Sequence, residues 1–395
     1  MKKNLLLLAI CQALMLSSIS MMMSSSALVG VEIAPSEQLI TLPVALIYVG
    51  VMSMLIPASL LMQKYGRRLG FTIGASCGIM AGTLASFAVY HSSFITFCIA
   101  SVLLGVANSF AQFYRFAAAE VATPQYKSRA ISWVLAGGLV AAFIGPSVAK
   151  YTKDVFPGPS FSFSYLFIAL FCIGVVIIQV FLRVPGASSS ASGEESRPLI
   201  KIVRKPTFLT AVVCAMIAYG TMNLLMIATP LAMNHQHMDF ADTATVIQWH
   251  IVGMFAPSFF TGNLIHRFGV LKIMFVGAIF LLVCGIVNLF GQSYWHFLIA
   301  LIFLGIGWNF LFVGGTTLLT EVYRPEEKGK VQGLNDFLVF SAVSTTALGS
   351  GYLHFVFGWE KLNQITFPAI VFAAVIITAL YVSRKRGRQE SSRPT

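Results

Sequence analysis

The stretch EVATPQYKSR, residues 120–129, returns as EVYRPEEKGK at residues 321–330. In both copies a long apolar run stops at Glu-Val, a Pro follows at the same offset, and two cations come next. Glu120, Pro124, Lys127 and Arg129 therefore map onto Glu321, Pro325, Lys328 and Lys330. A loop that recurs at half the length of the chain points to duplication of a helical bundle. In a membrane, such duplication suits a protein that must open toward two sides.

Composition supports the membrane. The chain is 57% hydrophobic and 10% charged, with mean hydropathy +0.81, whereas a soluble domain carries about 25% charged residues. Apolar runs recur that are long enough to cross a hydrocarbon core of about 30 Å, and backbone groups in lipid must be satisfied within each run, so these are helices. Twelve spans are expected, at 5–30, 40–63, 69–90, 94–119, 131–150, 162–184, 207–230, 243–265, 271–291, 295–319, 332–356 and 363–383. The fold class is all-α integral membrane protein, with six spans (1–184) before a linker (185–206) and six (207–395) after it. The linker, PGASSSASGEESRPLIKIVRKP, begins Ser/Gly-rich and ends basic. Lys2-Lys3 and the apolar run after them imitate a secretory leader, but the run is long, and it is read as the first span.

The net charge of +12 is arranged for a bilayer rather than for nucleic acid. With the N-terminus cytoplasmic, all but Lys150, Lys153, Lys361 and the intramembrane Arg115 of the 26 Lys and Arg fall on cytoplasmic segments, the positive-inside bias. Glu32, Glu37, Asp239 and Asp242 lie on the opposite side. The basic tail from Arg384 to Arg388 is expected to meet anionic headgroups. Cys11, Cys77, Cys98, Cys172, Cys214 and Cys284 all lie in apolar spans without C-x-x-C spacing, which points to packing rather than disulfides or metal.

Two further stretches repeat in the same order. Lys64-Tyr65-Gly66 matches Arg267-Phe268-Gly269, and Leu104-Gly105 with Asn108 matches Leu304-Gly305 with Asn309 if the second half carries one extra residue. SLLMQKYGRR, residues 59–68, resembles the G-x-x-x-D-R-x-G-R-R loop signature of the major facilitator superfamily. The resemblance covers essentially the whole chain and implies two pseudo-symmetric six-helix bundles. Ser59, Gln63 and Lys64 stand where that family usually has Gly, Asp and Arg. The family's Asp helps to lock an outward-facing state through charge–dipole contacts; Gln63 can hydrogen-bond there but supplies no charge. The tract IQWHIVGMFAPSFFTGNLIHRFG, together with QFYRFAAAE, resembles a bacterial branch of the family that includes riboflavin uptake carriers.

Charges inside spans are functional candidates by default. Arg115 is an inner gate or anion contact, or else a snorkelling or Glu120-paired cation at the interface. Asp336, after Asn335, is a carrier of a coupling proton or a capping or charge-paired residue at a helix start. His250, beside Gln248 and Trp249, is a substrate contact or a structural hydrogen-bonding residue. The resemblance implies a cavity lined by spans one, four, seven and ten, which on this chain offers Ser17, Ser20, Asn108, Gln112, Tyr219, Asn223, Trp308 and Asn309. Amides and rings without fixed charge suit a neutral or aromatic solute, with helix-to-helix bonding as the alternative. Gln63, Lys64, Arg67, Arg115, Glu120, Arg129, Arg267, Glu321, Lys330 and Asp336 are expected to gate or couple.

The expected function is secondary transport of a small organic solute by alternating access, with proton coupling. Uptake is favoured over efflux, because Ser101 replaces the usual Arg of span four and span five keeps only Gly145-Pro146 of the antiporter motif. An efflux antiporter and a transport-dead sensor or scaffold are the competing functions. No enzyme motif, Walker loop or metal-spaced cluster is visible, so no catalysis, cofactor or nucleic-acid partner is expected. The predicted setting is a bacterial inner membrane, with both termini cytoplasmic and the chain monomeric.

Overall fold

The apolar runs close their own backbone hydrogen bonds, and every regular element described in the computed structural model is helical. The structure describes residues 2–36, 39–40, 42–153, 155, 158–184 and 197–391. Glu37 and the Ser/Gly-rich part of the expected linker, 185–196, lie outside the described residues. The helices are α1 (Lys2–Ile33), α2 (Leu42–Tyr65), α3 (Arg67–Tyr90), α4 (Phe94–Ala111), α5 (Tyr114–Val121), α6 (Lys127–Thr152) and α7 (Leu166–Val180). They continue as α8 (Leu199–Val203), α9 (Pro206–His235), α10 (Phe240–Phe255), α11 (Ser258–Phe268), α12 (Val270–Phe290), α13 (Tyr294–Leu319) and α14 (Lys328–Ser391).

Among the described residues, nine helical stretches are long and apolar enough to cross a membrane. Four expected spans depart from that pattern. The sixth is the shorter apolar helix α7, of 15 residues. The eighth is divided into α10 and α11 around Ala256-Pro257, because the proline has no N–H to give and its ring crowds the preceding turn. The eleventh and twelfth run together as α14, bent at Gly358, where φ is 72°.

The helices gather into two compact units. One comprises Met1–Ser196 with Pro325–Ser344, the other Arg197–Arg324 with Thr345–Thr395. In the first, α1 packs on α6 and α7, and α3 and α2 pack on α4. In the second, α9, α10 and α12 all pack on α13, most of whose residues are buried.

Repetition in the sequence becomes repetition of backbone geometry. Gly66 (φ 93°, ψ 155°) joins α2 to α3, and Gly269 (φ 91°, ψ 147°) joins α11 to α12, in a region that side chains with a Cβ rarely enter. The repeated loop forms a 3-10 turn in each copy, Pro124–Tyr126 and Pro325–Glu327, and a helix starts at the following Lys both times. Proline fits such a start because its fixed φ is already helical and its missing N–H would have had no partner.

The register of α4 against α13 corrects one expectation. Gly74 of α3 lies against the Phe110 side chain, and Gly277 of α12 lies against Phe310, with no room for a Cβ at either glycine. Gly105 and Gly305 meet backbone of α2 and α10 in the same way. Asn108 therefore corresponds to Trp308, and Asn309 to Ser109. The extra residue of the second half falls after Phe310, not before Asn309. Its cause is the irregular turn between α4 and α5, where the Phe113 N–H donates to the Phe110 carbonyl three residues back. A 3-10 step rises about 2.0 Å per residue against 1.5 Å in an α-helix, so the first half covers the same distance with fewer residues.

Candidate functional site

Two groups of polar and aromatic side chains stand out, one in each unit. In the first unit, α5 is held by Tyr114, whose ring lies 4.4 Å from that of Phe71 and whose hydroxyl accepts from Gln179 Nε2 at 3.3 Å. This fixes the rotation of α5 and aims its two charges. Glu120 takes Arg67 at 2.6 Å and Lys328 at 3.3 Å. Arg115 pairs with Asp336, and its Nη1 donates to Gln112 Oε1 at 3.1 Å. The Asp336 Oδ1 that takes Arg115 also accepts from Asn335 Nδ2 at 2.7 Å, while Oδ2 has no hydrogen-bond partner. Arg115 and Asp336 are 2% and 0% exposed, so this ion pair is fully desolvated.

The first turns of α14 present these partners in order. Lys328 meets Glu120, Gln332 accepts from Arg67, and Asp336 meets Arg115; residues four apart share a helix face. A second face carries Gly329 and Gly333, which lie against Gln63 and Ser59 of α2. Ser59 Oγ donates to the Gly329 carbonyl at 2.7 Å, and Gln63 Nε2 donates to the Glu326 carbonyl. The side chains that replace the signature's Gly and Asp therefore hydrogen-bond to backbone at the start of α14.

The other expected gating residues lie elsewhere. Lys64 and Arg267 are exposed cations over the rings of Tyr65 and Phe268, at 5.1 and 5.3 Å. Arg129 lies over Tyr126 at 5.6 Å, and Lys330 is half-buried. Glu321 pairs with Arg384 at 2.9 Å on the surface of the second unit. The two Glu-Val loops thus differ in partner, because the residue after Gly66 is Arg67 whereas the residue after Gly269 is Val270.

In the second unit the rings of Tyr219, Phe255, Trp308 and Phe312 meet. Trp308 and Phe312 stack at 5.0 Å; Tyr219 stands edge-on to both at 5.3 Å, and Phe255 is edge-on to Trp308 at 5.7 Å. Tyr219 and Phe255 are half-buried, while Trp308 is buried with its indole N–H unpartnered. Asn223, one turn from Tyr219, donates to Thr346 at 3.3 Å.

Three remaining candidates separate. Asn309 accepts from Thr261 at 2.7 Å and donates to Ser258 at 2.6 Å and the Met254 carbonyl at 2.7 Å, so it bonds α13 to the broken span. His250 is buried, with Nδ1 2.8 Å from the Leu301 carbonyl and Nε2 unpartnered. Asn108 is buried with Oδ1 unpartnered. Sequence reasoning passed over Gly329, Gln332 and Gly333 and gave Ser59 and Lys328 no gating role; the visible signal was the spacing of Lys328, Gln332 and Asp336.

A family model described as Major Facilitator Superfamily matches residues 5–254 and 211–395. The chain belongs to the major facilitator superfamily. It is 40% identical over 378 residues to the riboflavin transporter RfnT of Brucella anthropi, covering 95% of this chain and 94% of that protein. It is 26% identical to YddS, an uncharacterized MFS-type transporter of Bacillus subtilis, across 88% of this chain and 84% of that protein. The human organic anion transporter MFSD10 shares the fold, with TM-score 0.79, 11% identity, and 95% and 99% of the two chains covered. A bacterial homologue of ferroportin in an outward-facing state gives TM-score 0.75 at 14% identity, covering 95% and 98%. This superfamily member is accordingly an integral membrane transporter of a small molecule, with an all-α fold.

Proposed function

We propose that this transporter takes up riboflavin, or a closely similar flat and uncharged aromatic solute, by proton symport with alternating access. The observation that carries the proposal is the ring cluster of Tyr219, Phe255, Trp308 and Phe312. An isoalloxazine is a planar, electron-poor aromatic system, and its best partners are ring faces and edges with a few fixed donors. Tyr219 and Phe255 offer partly open rings, and the Trp308 indole N–H is a buried donor, a group whose missing partner calls for explanation. The 40% identity to a riboflavin transporter along nearly the whole chain supports the same solute. Neutral rings and an indole donor suit an uncharged solute.

The positive-inside distribution of Lys and Arg supports both termini facing the cytoplasm of a bacterial inner membrane. The bonds from Ser59, Gln63, Arg67 and Glu120 to the start of α14 then form a cytoplasmic latch that must open for solute to leave inward.

Binding is tested directly by quenching of riboflavin fluorescence on titration with the purified protein. Saturable quenching is expected, weakened about tenfold in Tyr219→Ala, the effect of losing one aromatic pair worth about 1.4 kcal/mol. Absence of saturable quenching by the wild-type protein would remove riboflavin as the solute.

A further inference from the structure

We propose that Asp336 is the site at which this transporter binds its coupling proton, with Arg115 as the counter-ion that protonation releases. The inference rests on the symport reading above and names the group that carries it. Asp336 is fully buried, and only one of its oxygens is solvated by the protein: Oδ1 takes Arg115 and Asn335, while Oδ2 takes nothing. A buried carboxylate with one bare oxygen is a poorly stabilised charge, and a proton on Oδ2 removes that cost.

The repeat argues against a purely structural role. At the equivalent places in the duplicated fold stand Leu135 for Asp336 and Thr316 for Arg115, both buried, so the scaffold is built there without a charge pair. The other charges nearby are already committed. Arg67 of α3 and Lys328 of α14 are both held by Glu120 of α5, and the buried Glu327 has interactions of its own. Guanidinium groups are not deprotonated in proteins, so the proton that moves is assigned to the Asp336 carboxyl.

In the step, a proton from water forms the O–H bond on Oδ2, and the carboxylate becomes a neutral acid. The ion pair between Arg115 and Asp336 is lost, and that tie of the third turn of α14 to α5 is released. Return of the proton to water on the cytoplasmic side restores the pair. One proton is carried per cycle.

The test uses full-length protein in liposomes loaded for riboflavin uptake, with and without an inward proton gradient. Asp336→Asn keeps the shape but cannot take the proton. It is expected to lose all stimulation by the gradient while labelled and unlabelled riboflavin still exchange. Gradient stimulation equal to wild type overturns the proposal. A wild-type protein that takes up riboflavin but ignores the gradient overturns the symport reading and the proposal with it. A wild-type protein that takes up no riboflavin contradicts the solute, a separate failure. Should Asp336→Asn not fold, Arg115→Gln with Asp336→Asn leaves no unpaired buried charge and is read by the same criterion.

Discussion

Glu120 and Glu321 occupy the same place in a repeated loop and do different work. Glu120 sits between Arg67, which is 3% exposed, and Lys328, whereas Glu321 meets Arg384 with both side chains more than a third exposed. Removing a carboxylate from a buried cation costs about 3 kcal/mol, while an exposed pair is worth about 1 kcal/mol or less. Glu120→Gln should therefore lower the thermal midpoint in detergent clearly, and Glu321→Gln by little; equal shifts would contradict this assignment. Asn309 gives a second test. Its three bonds to the broken span are worth about 0.6 kcal/mol each in a membrane bundle, so Asn309→Ala should destabilise the protein by about 2 kcal/mol in reversible unfolding. Both contrasts were only half legible in the sequence. Asn309 and Asn108 looked like partners because their local strings match, and only the packing of Phe110 and Phe310 shows the shift. Arg115 and Asp336 stood out as intramembrane charges, but their pairing joins residues 221 apart, and no local pattern reports such a contact.

At the scale of elements, the first turns of α14 and the two glycine joints dominate. Gly329 and Gly333 let α14 lie against Ser59 and Gln63, an approach that small residues permit. Gly333→Leu should push α14 from α2 and speed cysteine labelling at a reporter beside Ser59; unchanged labelling would contradict the proposed latch. Gly269 separates strain from crowding, since nothing lies within 4 Å of a Cβ there while its φ is 91°. Gly269→Ala should thus cost about 1–3 kcal/mol from backbone alone. The existence and order of the helices were readable because apolar runs of membrane length are unmistakable. Their interruptions were less so. Pro257 divides α10 from α11, yet Pro57, Pro146 and Pro230 lie inside continuous helices. What a proline does in a span depends on neighbours that can re-satisfy the freed carbonyl.

For the whole molecule, duplication explains why so much could be read from one loop. A scaffold built twice leaves matching Gly66 and Gly269 joints and matching 3-10 turns, while the proposed sites lie where the copies differ. The polar stripe of Lys328, Gln332 and Asp336 has Lys127, Ile131 and Leu135 in the matching places of the repeat. The aromatic cluster around Trp308 likewise has Asn108 in the matching place. The proposed solute was not legible in composition, since neutral amides and rings suit many aromatic molecules; the proposal of riboflavin leans on the 40% identity to a riboflavin transporter. The most direct measurement is uptake of radiolabelled riboflavin into liposomes containing the purified protein. Saturable accumulation above that of protein-free liposomes, abolished by excess unlabelled riboflavin and reduced by a protonophore, is the predicted result. Uptake indistinguishable from that of protein-free liposomes would contradict the account.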